Sequence, residues 1–166
     1  MSAERLNDNE ALLVALLRAE VKFVIVGGVA AILHGAARLT YDLDIVYERS
    51  AENYRRLATA LAECAPYLRG APPGLPFRWD ADTIARGLNF TLTTKLGDID
   101  VLGEIAGGDY ERLLHYVEHK RAFGVQVPFL RLDKLIEVKR AAGRPKDFEA
   151  ISELERLLEE KTANSD

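Results

Sequence analysis

A glycine pair and two aspartates frame residues 26–46, which read VGGVAAILHGAARLTYDLDIV. The stretch starts at the end of a β-branched run and closes on DLDIV, so it predicts a strand, a short helix and a second strand. On a strand, residues i and i+2 point to the same face, so Asp42 and Asp44 project together while their apolar neighbours face a core. Two such carboxylates repel each other and resist desolvation, and they therefore need a counter-charge.

The sequence predicts a second acidic strand at residues 97–103, GDIDVLG. If this strand lies beside the first, Asp100 adds a third carboxylate to the same patch, whereas Asp98, next to the turn glycine, is assigned to the start of the strand. No basic residue is written beside these acids. Converging carboxylates select hard ions such as Mg²⁺ or Mn²⁺, so Asp42, Asp44 and Asp100 are the predicted metal ligands and catalytic residues. The alternative is an exposed strand edge with incidental acids.

The composition is that of an ordinary globular protein. The chain has 166 residues, 48% hydrophobic and 29% charged, and its net charge of −4 gives no global sign of a nucleic-acid binder. The single cysteine allows no intramolecular disulfide, and no signal peptide or membrane-spanning run is written. We therefore expect a cytoplasmic protein with no membrane partner. We also expect one domain over residues 1–166, with a core at about 20–130 and a C-terminal helical segment at about 131–161.

Periodicity indicates an α+β fold with a mixed β-sheet flanked by helices. The predicted helices cover residues 9–20, 29–36, 51–65, 109–119, 132–143 and 144–161. The predicted strands cover residues 22–28, 42–48, 88–94, 97–103 and 123–130. Ser50 and Asp133 are the expected N-caps, and Gly143 is the expected stop signal. A hairpin at 88–103 argues against a purely parallel sheet, and residues 65–82 are predicted to be a loop.

A phosphate site is predicted opposite the acids. Gly27 and Gly28 form either a tight turn or a cradle whose backbone N–H groups bind phosphate. Neither G-x-G-x-x-G nor G-x-x-x-x-G-K-[ST] is present, which disfavours a Rossmann or P-loop protein. Arg38 and Thr40 stand just before the DLD strand and can reach phosphate oxygens, unless Arg38 is a surface arginine and Thr40 a strand-start residue.

A basic segment closes the predicted site from the C-terminal side. Lys139 and Arg144 flank a break between two helices, and Lys139 is the preferred phosphate partner. Asp147 either orients Lys139 or caps the last helix. The competing interpretation is a solvated helical face with ion pairs.

Together these motifs resemble a known family. The set comprises GG (27–28), HG-x-x-R-x-T (34–40), D-L-D (42–44), I-D-V-L (99–102) and K-R-A-A-G-R-P-K-D (139–147). It is similar to the nucleotidyltransferase superfamily, whose fold is shared with DNA polymerase beta, and within it to small proteins related to the AbiEii and MenT toxins. Two departures stand out: Gly27-Gly28 replaces the usual G-S, and the C-terminal helical part is shorter than in those toxins.

The resemblance implies a nucleotidyltransferase fold, which this chain is expected to close with short C-terminal helices. It also implies transfer of a nucleoside monophosphate from an NTP to an acceptor hydroxyl of RNA, such as a tRNA end, or of a protein. Asp42 and Asp44 would ligate metal, Asp100 would help to activate the acceptor, and Gly27 and Gly28 would lie under the triphosphate. A toxin role with a cognate antitoxin follows from the resemblance only. The alternatives are an inactive nucleotide-binding or scaffold protein on the same fold, and a phosphohydrolase.

Several other residues receive structural interpretations. His34 is expected to pack or cap, and Cys64 to fill the core. Trp79 in the proline-rich loop is expected to anchor that loop, with base stacking as the alternative. His115 and His119 stand at helical i, i+4 spacing, but no third ligand is evident, so zinc is not expected.

Overall fold

The computed structural model describes residues 2–37, 40, 42–122 and 124–164. The helices in this part of the chain are α1 (Ser2–Arg18), α2 (Gly27–Leu33), α3 (Ala51–Leu61), α4 (Ala81–Arg86), α5 (Tyr110–Leu113), α6 (Leu132–Ala142) and α7 (Phe148–Asn164). Its strands are β1 (Phe23–Val26), β2 (Asp42–Tyr47), β3 (Tyr67–Leu68), β4 (Asn89–Thr94), β5 (Gly97–Leu102), β6 (Glu104–Ile105), β7 (Gly108–Asp109), β8 (Val117–Ala122) and β9 (Val125–Leu130).

One mixed sheet of seven strands organises the described residues. The strand order is β3-β4-β5-β2-β1-β9-β8, and β6 and β7 form a separate ribbon. β2 is antiparallel to β1 and parallel to β5, and β9 is parallel to β1. The α+β class with a mixed sheet is therefore confirmed, as is the β4–β5 hairpin.

The alternation in β2 and β5 divides the sheet into two faces. Leu43, Ile45, Ile99 and Val101 are fully buried on one face, where α1 contacts β5 and packs against α3. The intervening aspartates occupy the other face. On the C-terminal side, α6 packs against α7 and contacts α2. Leu135 on α6 and Leu154 on α7 are buried, and this burial stabilises the packing of both helices on the core.

Several predicted elements differ in the structure. The first helix begins at residue 2 and not at residue 9, and α2 begins at Gly27, within the predicted strand at 22–28. The helix predicted at residues 109–119 is short, because residues 117–122 form the edge strand β8, which pairs with β9 along its whole length. Its sequence, VEHKRA, lacks apolar alternation because the strand is largely exposed. His115 and His119 therefore do not share a helical face. Within the predicted loop at residues 65–82, the structure contains the two-residue strand β3 and the start of α4.

Two of the predicted helix-end signals are confirmed. Ser50 caps α3 by accepting a hydrogen bond from the Asn53 backbone N–H, and Gly143 ends α6 with φ at +64°. Asp133 was expected as an N-cap, but that prediction is wrong: α6 begins after Arg131, whose guanidinium binds the Asp133 carboxylate at 2.7 and 2.8 Å. Within the described residues, no helix is both long and apolar enough to cross a bilayer.

Candidate active site

Strand register brings the aspartates together. In the parallel pair β2–β5, Asp42 lies opposite Asp98 and Asp44 lies opposite Asp100. The structure thus gathers Asp42, Asp44 and Asp100 as expected from the sequence. It also makes Asp98 a fourth member, although the sequence suggests only a strand-start role for it. We call these four side chains the carboxylate cluster.

Asp44 is the most strongly perturbed member of the carboxylate cluster. Burial raises the pKa of its carboxyl group from 3.8 to about 8. A hydrogen bond with Asp100, which requires a proton on one of the two groups, and the charges of Asp100 and Asp42 act in the same direction. Oδ1 of Asp44 is buried and accepts no hydrogen bond within the described part of the chain. The positive charge of Lys139 acts in the opposite direction but does not offset these effects.

Arg69 supplies a counter-charge that the sequence does not reveal. Its guanidinium lies 2.9 Å from Asp100 Oδ1, 3.4 Å from Asp98 Oδ2 and 3.5 Å from Asp42 Oδ2. It also donates a hydrogen bond of 2.8 Å to the Leu92 carbonyl. Arg69 follows β3 in the segment predicted to be a loop, and only the pairing of β3 with β4 brings it to the sheet. The expectation that no cation stands beside the acids is therefore wrong.

The glycine pair makes room for the neighbouring side chains. Gly27 has φ at +66°, and a Cβ on it would lie 2.0 Å from Asp44 Oδ2. A Cβ on Gly28 would lie 2.6 Å from Thr40 Oγ1, and that hydroxyl donates to the Asp42 carbonyl at 3.1 Å. Only glycine fits this junction between β1 and α2. The predicted phosphate roles of Gly27, Gly28 and Thr40 stay predictions.

Asp147 organises the basic residues. Arg144 Nε donates to its Oδ2 at 2.8 Å, and Lys139 Nζ lies 3.9 Å from its Oδ1. Asp147 is largely buried in a short 3₁₀ turn, Pro145–Asp147, just before α7. This arrangement fits an orienting role for Asp147 toward Lys139. Arg38, the remaining predicted phosphate ligand, lies outside the described residues.

Two cavities meet at Lys139. One, of about 390 Å³, contains Asp44, Asp100, Lys139 and Arg144 together with apolar side chains of α6 and the β5–β6 region. The other, of about 370 Å³, is lined by Gly28, Thr40, Lys139, Lys146 and Asp147, among others. A larger cavity of about 840 Å³ lies beside α1 and α3, away from the acids. The structure therefore brings Asp44 and Asp100 to the same cavity as Lys139 and Arg144, whereas Asp42 lines neither cavity.

The carboxylate cluster fits a hard divalent cation in its chemistry. Its donors are all oxygen atoms, and Asp44 Oδ1 has no hydrogen-bond partner among the described residues. However, no group of three or more described His, Cys, Asp or Glu side chains is already arranged around one point as a metal site. Three of the four carboxylates lie against Arg69 instead.

The remaining residues have structural roles. Trp79 anchors its loop by donating from Nε1 to the Leu57 carbonyl at 3.0 Å and by packing edge-on against Phe90. Cys64 is a buried free thiol, as expected. His34 is buried and packs edge-on against Phe129, also as expected.

Searches with protein-family models and against curated proteins find no match to this chain.

Proposed function

We propose that this chain is a metal-dependent nucleotidyltransferase on the fold that DNA polymerase beta shares with its superfamily. The observation that carries the proposal is the register of β2 and β5, which sets Asp44 opposite Asp100 in a cavity that also contains Lys139 and Arg144. Carboxylates can bind the metal ion of a metal–NTP complex, and cations on the opposite wall of the cavity can bind its phosphates. The resemblance in motifs supports the same assignment.

The reaction would be a displacement at the α-phosphorus of an NTP. An oxygen of the acceptor hydroxyl forms the new P–O bond, the bond to pyrophosphate breaks, and the hydroxyl proton passes to Asp100. Mg²⁺ or Mn²⁺ held by Asp42, Asp44 and Asp100 would neutralise the charge that develops on the phosphate oxygens. Lys139, oriented by Asp147, would bind the phosphates from the opposite wall, with Arg144 beside it.

The acceptor is a hydroxyl of RNA, such as a tRNA end, or of a protein. A use of NTP is consistent with the cytoplasmic location expected from the sequence. The toxin role and the antitoxin partner rest on the resemblance in motifs alone.

A transfer assay tests the proposal. The protein is incubated with Mg²⁺ or Mn²⁺, each labelled NTP, and either total RNA or cell lysate. We expect label on RNA or protein, and a loss of at least about 100-fold in Asp44→Asn and Asp100→Asn, because both remove a charged oxygen ligand. Asp82→Asn, at an exposed position on α4, is the matched control and keeps full activity. Binding of NTP by the wild type without transfer to any acceptor would contradict the proposal.

The pairing of Arg69 with three carboxylates favours a second candidate, an inactive nucleotide-binding or scaffold protein. In that case Arg69 would permanently replace the metal, as a structural ion pair does. The same assay separates the two, since the scaffold binds NTP without turnover. Release of free phosphate in place of transfer would instead indicate a phosphohydrolase.

A further inference from the structure

Arg69 is built into the sheet on the side of the carboxylate cluster. Its backbone N–H donates to the Thr91 carbonyl on β4 at 3.0 Å, and Thr91 lies opposite Asp100 in the β4–β5 pair. Strand β4 therefore lies between the backbone of Arg69 and Asp100, and the Arg69 side chain crosses β4 to reach the acids. About a quarter of it is exposed, so this contact belongs to the interior of the site.

Arg69 does not cover the whole carboxylate cluster. Its guanidinium contacts Asp42, Asp98 and Asp100, whereas Asp44 Oδ1 has no hydrogen-bond partner within the described residues. Arginine cannot release its proton near neutral pH. A divalent cation that bound the same carboxylate oxygens would meet this fixed positive charge at close range, so the guanidinium and the metal must exclude each other.

We propose that Arg69 is a positioning residue that holds the carboxylate cluster together in the metal-free protein and withdraws when a divalent cation binds. This inference rests on the proposed function only in requiring that the cluster takes a metal. In part of the metal-free population, Arg69 occupies the carboxylates and prevents metal binding. The apparent Kd for the metal therefore equals the intrinsic Kd divided by the fraction of molecules whose carboxylates are free. Arg69 thus sets the metal concentration at which the site is loaded.

Direct metal binding tests the inference without any activity measurement. Mn²⁺ is titrated into metal-free wild type, Arg69→Met and Arg69→Lys, with binding followed by calorimetry and by the electron paramagnetic resonance signal of free Mn²⁺. We expect the apparent Kd of Arg69→Met to be about tenfold lower than that of the wild type. Arg69→Lys keeps the positive charge but loses the planar guanidinium that contacts several carboxylates at once. Its Kd should therefore lie between those of the wild type and Arg69→Met.

Thermal unfolding supplies the second readout. In EDTA, Arg69→Met should melt several degrees below the wild type, because Asp42, Asp98 and Asp100 lose their counter-ion. Saturating Mn²⁺ should raise the Tm of Arg69→Met most of the way back to that of the wild type. Arg78→Met is the matched control, since Arg78 is an exposed arginine in the same segment between β3 and α4. It should change neither Mn²⁺ affinity nor melting.

An unchanged or weaker Mn²⁺ affinity in Arg69→Met would overturn the inference. If that variant does not fold, Arg69→Lys decides: tighter Mn²⁺ binding supports the inference, and wild-type affinity contradicts it. The result is separable from the proposed function. Tighter Mn²⁺ binding by Arg69→Met, with no transfer activity in the wild type, would support the role of Arg69 and contradict the transferase. Transfer activity in the wild type, with unchanged Mn²⁺ affinity in Arg69→Met, would support the transferase and contradict the role of Arg69.

Discussion

The Asp44 carboxyl group is buried, and its neighbours Asp42 and Asp100 are acidic. The arginine of the site does not pair with it. Arg69 binds the other three aspartates, so Asp44 faces the cavity with its Oδ1 unbonded among the described residues. Its raised pKa costs stability at neutral pH, because the unfolded chain ionises this carboxyl group and the folded protein resists that ionisation; asparagine removes this cost at almost constant volume. We expect Asp44→Asn to stabilise the metal-free protein by about 1 kcal/mol, equivalent to about 2–4 °C in Tm.

Melting curves in EDTA and in Mg²⁺ check this expectation. Mg²⁺ should raise the Tm of the wild type more than that of Asp44→Asn, because the variant has lost a metal ligand. Asp82→Asn serves again as the control and should respond to Mg²⁺ like the wild type. An equal Mg²⁺ response in Asp44→Asn would show that Asp44 does not take part in metal binding.

His34 joins three elements through its ring. Nε2 donates to the Leu130 carbonyl at the end of β9, and Nδ1 accepts from Lys161 Nζ on α7, both at 2.8 Å. These partners assign the tautomer with the proton on Nε2. Burial lowers the pKa of His34 from 6.5; the nearby charges of Lys161 and Lys120 add to this, while the Leu130 carbonyl and Glu118 oppose it. The ring is therefore neutral in the folded protein at neutral pH.

This lowered pKa predicts that the His34 contribution to stability falls on acidification. Below pH 6.5 the unfolded chain takes up a proton on His34 that the folded protein resists, so this contribution falls until the folded pKa is passed. The raised pKa of Asp44 acts in the opposite direction over the same range, so the effect of His34 is measured as the difference between the wild type and a His34 variant. Urea unfolding from about pH 7.5 to about pH 5.5 measures the effect. His34→Gln, whose amide can still donate to Leu130, should lose less stability over this range than the wild type. The exposed His119→Gln should behave like the wild type, and an equal loss in both variants would contradict the assignment.

At the scale of elements, the junction between β1 and α2 is fixed by Gly27. An alanine there must adopt a positive φ and also place its Cβ against Asp44 Oδ2. Gly143, at the end of α6, has nearly the same φ of +64° but nothing within 4 Å of an added Cβ. We expect Gly143→Ala to cost about 1 kcal/mol from backbone strain alone, and Gly27→Ala to cost at least about 2 kcal/mol. Urea unfolding measures both, and equal losses would show that Asp44 does not press on this junction.

The elements that sequence predicts well are those with a local signal. The alternation in β2 and β5 reveals the shared face of Asp42, Asp44 and Asp100 because the period of a strand is written in consecutive residues. β8 escapes prediction because its exposed edge position removes that alternation. Arg69 escapes for a different reason: its partners are set by the pairing of β3 with β4, and a two-residue strand leaves no periodic signal. Register also decides that Asp98 joins the cluster.

At the scale of the whole molecule, the candidate site depends on parts far apart in the chain. The sheet supplies the acids, and the segment from α6 to α7 supplies Lys139, Arg144 and Asp147. α6 contacts α2 and α7 through buried side chains, and Lys161 on α7 reaches His34 at the end of α2. The C-terminal helices therefore act as one wall of the site, and their folding should be coupled to that of the sheet.

This coupling predicts a single cooperative unfolding transition over the whole chain. Trp79, the one tryptophan in the sequence, reports on the loop packed against α3 and β4, whereas far-UV circular dichroism reports mainly on the helices, α6 and α7 among them. The two urea transitions should share one midpoint, and a chain that ends at residue 130 should lose the cooperative transition, because its core is left uncovered. Separate midpoints, or a shortened chain that unfolds cooperatively, would mean that the C-terminal helices fold independently and that Lys139 is not held rigidly opposite Asp44.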